Sequence, residues 1–90
     1  MKFGWDAAKS AANEAKHGID FETATNIWLD ENRVEIRAPH PAEDRIILIG
    51  QYRNKLWTAI YTMRGDKIRI ISVRRAREKE AMLYEKEETG

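Results

Sequence analysis

Residues 55–85 read KLWTAIYTMRGDKIRIISVRRAREKEAMLYE, and this stretch decides the fold. Leu56 to Met63 is rich in β-branched and aromatic residues, and Ile68 to Val73 resumes that composition after Arg64-Gly65-Asp66-Lys67, so the segment predicts a hairpin. Strict alternation along the second strand sets Lys67, Arg69, Ile71, Val73 and Arg75 on one face, and Ile68, Ile70, Ser72 and Arg74 on the other. Each face is apolar in mid-strand and cationic toward its end. From Arg64 to Lys79 seven Lys or Arg stand against Asp66 and Glu78, a local charge of +5 in a chain whose formal net charge is only +1. From Glu80 onward the sign reverses, with Glu80, Glu85, Glu87 and Glu88 against Lys86, so a near-neutral total conceals a dipolar surface.

Upstream of the hairpin, Ile46-Ile47-Leu48-Ile49 is apolar on both faces and predicts an inner strand, whereas Val34 and Ile36 alternate with charged neighbours and predict an edge strand. Asp6 is placed to cap a helix running to about Lys16, whose alanines at 7, 8, 11, 12 and 15 give it propensity and a small apolar stripe. His17-Gly18 stops it. Asp20 caps a second helix, Phe21 to about Leu29, with Phe21, Ala24, Ile27 and Trp28 at helical spacing. A last helix, about Ala76 to Glu87, leans on the sheet with Met82, Leu83 and Tyr84. The expected fold is α+β: two N-terminal helices packed on a four-stranded antiparallel sheet, with a C-terminal helix over its partly open second face.

Ninety residues make one domain, residues 1–90, with a single modest core. The absence of cysteine removes disulfides, thiolate metal sites and thiol nucleophiles. No apolar run reaches membrane-spanning length, and Met1 to Asp6 has no signal-peptide core, so the expected location is the cytoplasm, with no membrane partner. No glycine-rich phosphate loop, serine elbow or metal-ligand spacing occurs, and no cofactor or metal is expected.

Guanidiniums gathered near a sheet edge suit phosphate, because each presents a planar fork of donors that stays charged at physiological pH. Nucleic acid is the obvious polyanion, with Trp57, Tyr61 or Tyr84 available for stacking on bases. Transfer of a phosphoryl group from a 5′-oxygen to the neighbouring 2′-hydroxyl needs its pentacoordinate dianion stabilised, which arginine does well. Only His17 and His40 titrate near neutrality, and neither adjoins the cationic cluster in sequence. Tyr84 is the alternative acid or base if cations lower its pKa.

Two blocks of sequence carry a family likeness. Phe3, Trp5, Asp6, Lys9, Asn13, Lys16-His17-Gly18-Ile19, Phe21-Glu22 and Ala24 form the first; Tyr61-Thr62, Arg64-Gly65, Ile68-Arg69-Ile70-Ile71-Ser72, Arg74-Arg75-Ala76, Glu80 and Tyr84-Glu85 form the second. Together they resemble the BrnT toxins of bacterial type II toxin-antitoxin systems, which share the RelE-like ribonuclease fold. The pattern departs at Val73, usually Ala, and across Leu29 to Asp44. The resemblance implies a metal-independent mRNA endoribonuclease that arrests growth. It also implies a cognate antitoxin with a ribbon-helix-helix part, through which the complex reaches DNA and represses its own promoter.

The expected catalytic set is Arg69, Arg74 and Arg75 on phosphate, Tyr84 as acid or base, and Arg64 as auxiliary. Lys67, Arg77, Tyr61 and His17 are the expected RNA contacts. Two other readings of the same residues stay open: a non-catalytic nucleic-acid-binding module, and an interaction domain whose basic edge receives an acidic partner.

Overall fold

The computed structural model describes residues 1–89, and side chains as far as Lys86. The chain runs β1 (Lys2–Gly4), α1 (Ala7–His17), α2 (Phe21–Ala24), a 3₁₀ turn (Thr25–Leu29), β2 (Val34–Ala38), β3 (Arg45–Tyr52), β4 (Lys55–Arg64), β5 (Lys67–Arg75) and α3 (Glu78–Thr89). The acidic side chains Glu87 and Glu88 lie outside the described residues.

The sheet corrects the expectation of four antiparallel strands. It has five, in the order β1-β5-β4-β3-β2, and β1 lies parallel to β5, with Phe3 opposite Ile68 and Gly4 opposite Arg69. Three residues are too few to show alternation. What fixes them is tertiary: β5 needs a partner on its outer edge, and Phe3 meets Trp28 edge-on at 5.1 Å between ring centroids. The two-helix expectation is corrected as well. The second segment makes one α-turn, Phe21–Ala24, and then tightens. Thr25 Oγ1 and Asn26 Nδ2 donate back to the carbonyls of Glu22 and Thr23, which favours the tighter turn. The apolar spacing survives, and Phe21, Ala24, Ile27 and Trp28 are all buried.

Helix α1 begins where Asp6 accepts from the Lys9 amide and ends at Gly18, whose φ of 80° suits glycine. Its buried face is not the alanine stripe. The alanines face outward, and Ser10 and Asn13 face in. Ser10 Oγ accepts from the Phe21 amide, and the Asn13 amide both donates to Ile19 O and Val73 O and accepts from Val73 N. Because β1 pairs only with Lys67 to Arg69, the outer edge of β5 has no strand beside it at Val73, and Asn13 stands in for one.

One sheet face carries the core: Trp57, Ala59 and Tyr61 of β4, Leu48 of β3 and Ile68, Ile70 and Val73 of β5, packed under Phe21, Ile27 and Trp28. Gly50 sits where Ile27 comes closest, since a Cβ there would lie 2.7 Å from Ile27 Cγ2 and 3.1 Å from its carbonyl oxygen. Gly50→Ala should therefore cost about 1–3 kcal/mol as an overpacking substitution, read as a lower urea midpoint with an unchanged slope.

Helix α3 covers part of the second face, over β3 and β2. Its anchor is Tyr84, only 4% exposed, whose hydroxyl donates to Asp30 Oδ2 at 2.8 Å. Met82 and Leu83, expected to share that duty, are instead exposed. Asp30 also accepts from the amides of Gln51 and Asn32. Burial opposes its ionisation, but these donors, the Tyr84 hydroxyl and Arg33 outweigh it and lower its pKa.

Candidate active site

The cations of β5 are sorted by a bulge. Along β4, Trp57, Ala59 and Tyr61 point into the core, and their partners on β5 are Arg75, Val73 and Ile70. From Val73 to Ile70 is three residues rather than two, because Ile60 pairs with Ser72 and Tyr61 with Ile70, leaving Ile71 unpaired. The alternation therefore changes phase. Ile68, Ile70, Val73 and Arg75 lie on the packed side, and Lys67, Arg69, Ser72 and Arg74 share the other, which α3 leaves partly open.

On that open face Arg69 stands opposite Thr62 and Ser72 opposite Ile60. Arg69 is half-buried, and among the described residues no carboxylate lies within ion-pair distance of it. Lys67 is exposed and pairs with Arg64 across the turn. Arg74 is held. Its Nη1 and Nη2 donate to the two oxygens of Glu80 at 2.7 and 2.8 Å, and the same carboxylate accepts from the Thr58 hydroxyl and the Arg77 amide. This fork closes the first turn of α3 onto β4 and β5.

The remaining expected residues are dispersed. Arg75 lies on the packed side with its guanidinium over the Trp57 ring at 5.5 Å. Arg64, at the end of the hairpin, pairs with Glu43 at 3.3 Å across an exposed gap. Arg77 is exposed just before α3. Tyr84 serves as the α3 anchor, and Tyr61 is buried with its hydroxyl donating to Glu35. Burial first, and then the Glu35 carboxylate, raise the Tyr61 pKa, so that phenol stays protonated. His17 ends α1, and His40 lies in the loop between β2 and β3, accepting from the Ala42 amide. Among the described residues no three His, Asp or Glu gather closely enough to hold a metal ion, and no helix is long and apolar enough to cross a membrane.

In sequence Glu80 reads either as one of several glutamates on a solvated helix or as an ion-pair partner of Arg74 or Arg75, and the structure makes it the partner of Arg74. Hydrogen bonds from Arg74, opposed by burial and aided by Arg77 and Thr58, bring its pKa down to about 2 from 4.5. The folded value lies below the unfolded one. The stability this provides is therefore present above about pH 4.5 and is lost as pH falls toward 2. Glu80→Gln should lower stability at neutral pH and flatten the acid limb of a urea-midpoint profile over that range.

A face with a guanidinium that has no carboxylate partner among the described residues, an ammonium and a serine hydroxyl, set on a small mixed sheet, is chemically able to receive a polyanion. The family model described as "Ribonuclease toxin, BrnT, of type II toxin-antitoxin system" matches residues 5–80. The chain belongs to that family of ribonuclease toxins, whose type II character implies an RNA substrate and an antitoxin partner. A search among curated proteins returns no match. The matched span includes Lys67, Arg69 and Arg74, closes on Glu80, and leaves β1 and Tyr84 outside it.

Proposed function

We propose that the open face of β5 is the cleavage site of a metal-independent endoribonuclease acting on mRNA. The observation that carries this reading is the bulge at Ile71, which turns Ser72 and Arg74 onto the face that Lys67 and Arg69 already share. Arg69 and Lys67 have no carboxylate partner among the described residues, so their charge is available to a phosphate. Arg74 is fixed by Glu80 and supplies an oriented edge to the same site.

In this reading the RNA 2′-oxygen attacks the adjacent phosphorus, the bond to the 5′-oxygen breaks, and the 2′-proton ends on the leaving oxygen by way of solvent. The cations meet the charge that builds on the non-bridging oxygens. Tyr84 and Tyr61 are spent on Asp30 and Glu35 and take no part. Cleavage of mRNA would stop translation and growth. A cognate antitoxin with a ribbon-helix-helix part would neutralise the protein and link the complex to DNA.

The second reading, RNA binding without catalysis, is favoured by one observation: neither histidine lies on a strand of the open face, His17 ending α1 and His40 lying in the loop between β2 and β3. One assay separates them. Purified protein with end-labelled RNA in EDTA should yield fragments ending in 2′,3′-cyclic phosphate. A retarded band without fragments would favour the binding module.

A further inference from the structure

The cations on the other side of the sheet form a second surface. Tyr52 faces Lys55 across the β3–β4 hairpin, and Trp57 faces Arg75 across β4 and β5, so the four occupy one sheet face near one end. The hairpin closes through Arg53 and Asn54, both left-handed with φ of 51° and 63°, which is the two-residue turn that matches strand twist. That turn brings Arg53 back over Tyr52, its guanidinium carbon 5.4 Å from the ring centroid, just as Arg75 lies over Trp57. The result is an alternation of cation and ring in which two guanidiniums are steadied on aromatic faces while Arg53, Lys55 and Arg75 stay exposed.

Beside this alternation lies a cleft of about 190 Å³ bordered by Gly18, Thr23, Tyr52, Arg53, Lys55 and Trp57, with no carboxylate in its lining. It is smaller than the roughly 300 Å³ at which drug-sized ligand sites begin, which suits one flat ring rather than a whole cofactor. Steadied cations beside a ring-sized recess supply what an unpaired strand offers to bind, phosphates for the charges and a base for the recess.

We infer that Arg53, Lys55 and Arg75, with Tyr52 and the adjoining cleft, bind single-stranded RNA that flanks the cleaved bond. The inference rests on the RNA substrate proposed above but uses none of the cleavage residues. The surface holds substrate without touching the reacting phosphate, and it prefers unpaired to duplex RNA.

The test is binding of a fluorescein-labelled 12-nucleotide 2′-O-methyl RNA, which cannot be cleaved by 2′-oxygen attack, single-stranded and as a duplex. The triple variant Arg53→Ala/Lys55→Ala/Arg75→Ala should bind the single strand at least about tenfold more weakly, and its log–log salt slope should shrink by about 2, the share of three phosphate contacts on a single strand. The duplex should bind more weakly than the single strand to wild type and lose less. The single variant Arg53→Ala, at the exposed turn, should move the same way with an unchanged circular-dichroism spectrum. Unchanged affinity and slope in the triple variant overturn the inference, including the case in which the patch serves an acidic protein instead. Wild type that binds this RNA through the patch but cuts no unmodified RNA would overturn the cleavage reading alone.

Discussion

Arg69→Ala should reduce RNA cleavage about 100- to 1,000-fold, the range for removing one preorganised charge-stabilising donor from a reaction centre. The loss should fall on the chemical step. Arg69 lies opposite Thr62 on the open face without a carboxylate partner among the described residues, so truncation removes its charge and leaves no buried anion unpaired. Thermal stability should change little. Arg69→Lys should recover part of the rate, since an ammonium keeps the charge but not the two-pronged geometry. Arg64→Ala should matter far less, because Arg64 is already exposed and paired with Glu43. Single-turnover cleavage of a labelled RNA, with thermal melts alongside, reads all three variants.

Asn13→Ala should have the largest effect on stability of any change to a side chain outside the apolar core. The substitution leaves Ile19 O, Val73 O and Val73 N without their partner in a buried place. At about 1–3 kcal/mol for each buried group left unsatisfied, with partial relaxation, the loss is about 3–5 kcal/mol. Small domains of this kind have about 5–15 kcal/mol in total. The melting temperature should fall by at least about 10 °C. Because Val73 adjoins the bulge that turns Arg69 and Arg74 to one face, the variant should also lose cleavage at temperatures where most of it is still folded. Exposed Ala12→Ser on the same helix is the control and should be almost neutral.

These two residues also show where the sequence was legible. The β4–β5 hairpin, the inner position of β3 and the edge position of β2 follow from composition and alternation, which report burial directly. Asp6, Gly18 and Asp20 mark their helix ends because capping is local chemistry. The place of β1 in the sheet escaped because three residues carry no period, and its pairing with β5 depends on contacts more than sixty residues away. The bulge escaped for a different reason. In Ile68-Arg69-Ile70-Ile71-Ser72 two adjacent isoleucines are chemically alike, and nothing local says which of them is extra. One such residue exchanges the faces of everything beyond it, which is why Arg75, expected beside Arg69, lies on the opposite side with Trp57.

Asn13 and Ser10 were visible as an i, i+3 polar pair in an alanine-rich helix. Alanine is equally content exposed, so the polar pair was the better marker of the buried face. Tyr84 and Glu80 required the fold, since each owes its role to a partner brought in by tertiary packing: Asp30 for one, and the Arg74, Thr58 and Arg77 donors for the other.

The most direct measurement is an NMR titration of ¹⁵N-labelled protein with a short 2′-O-methyl RNA spanning one scissile position. The expected outcome is that the largest amide shifts fall on Lys67 to Arg69, Ser72 to Arg74 and the facing Ile60 to Thr62, and that Arg69→Ala alters their pattern while the RNA still binds. Silent amides along that side of β5, with RNA-induced shifts elsewhere on the protein, would contradict the assignment of the open face as the place where RNA is cut.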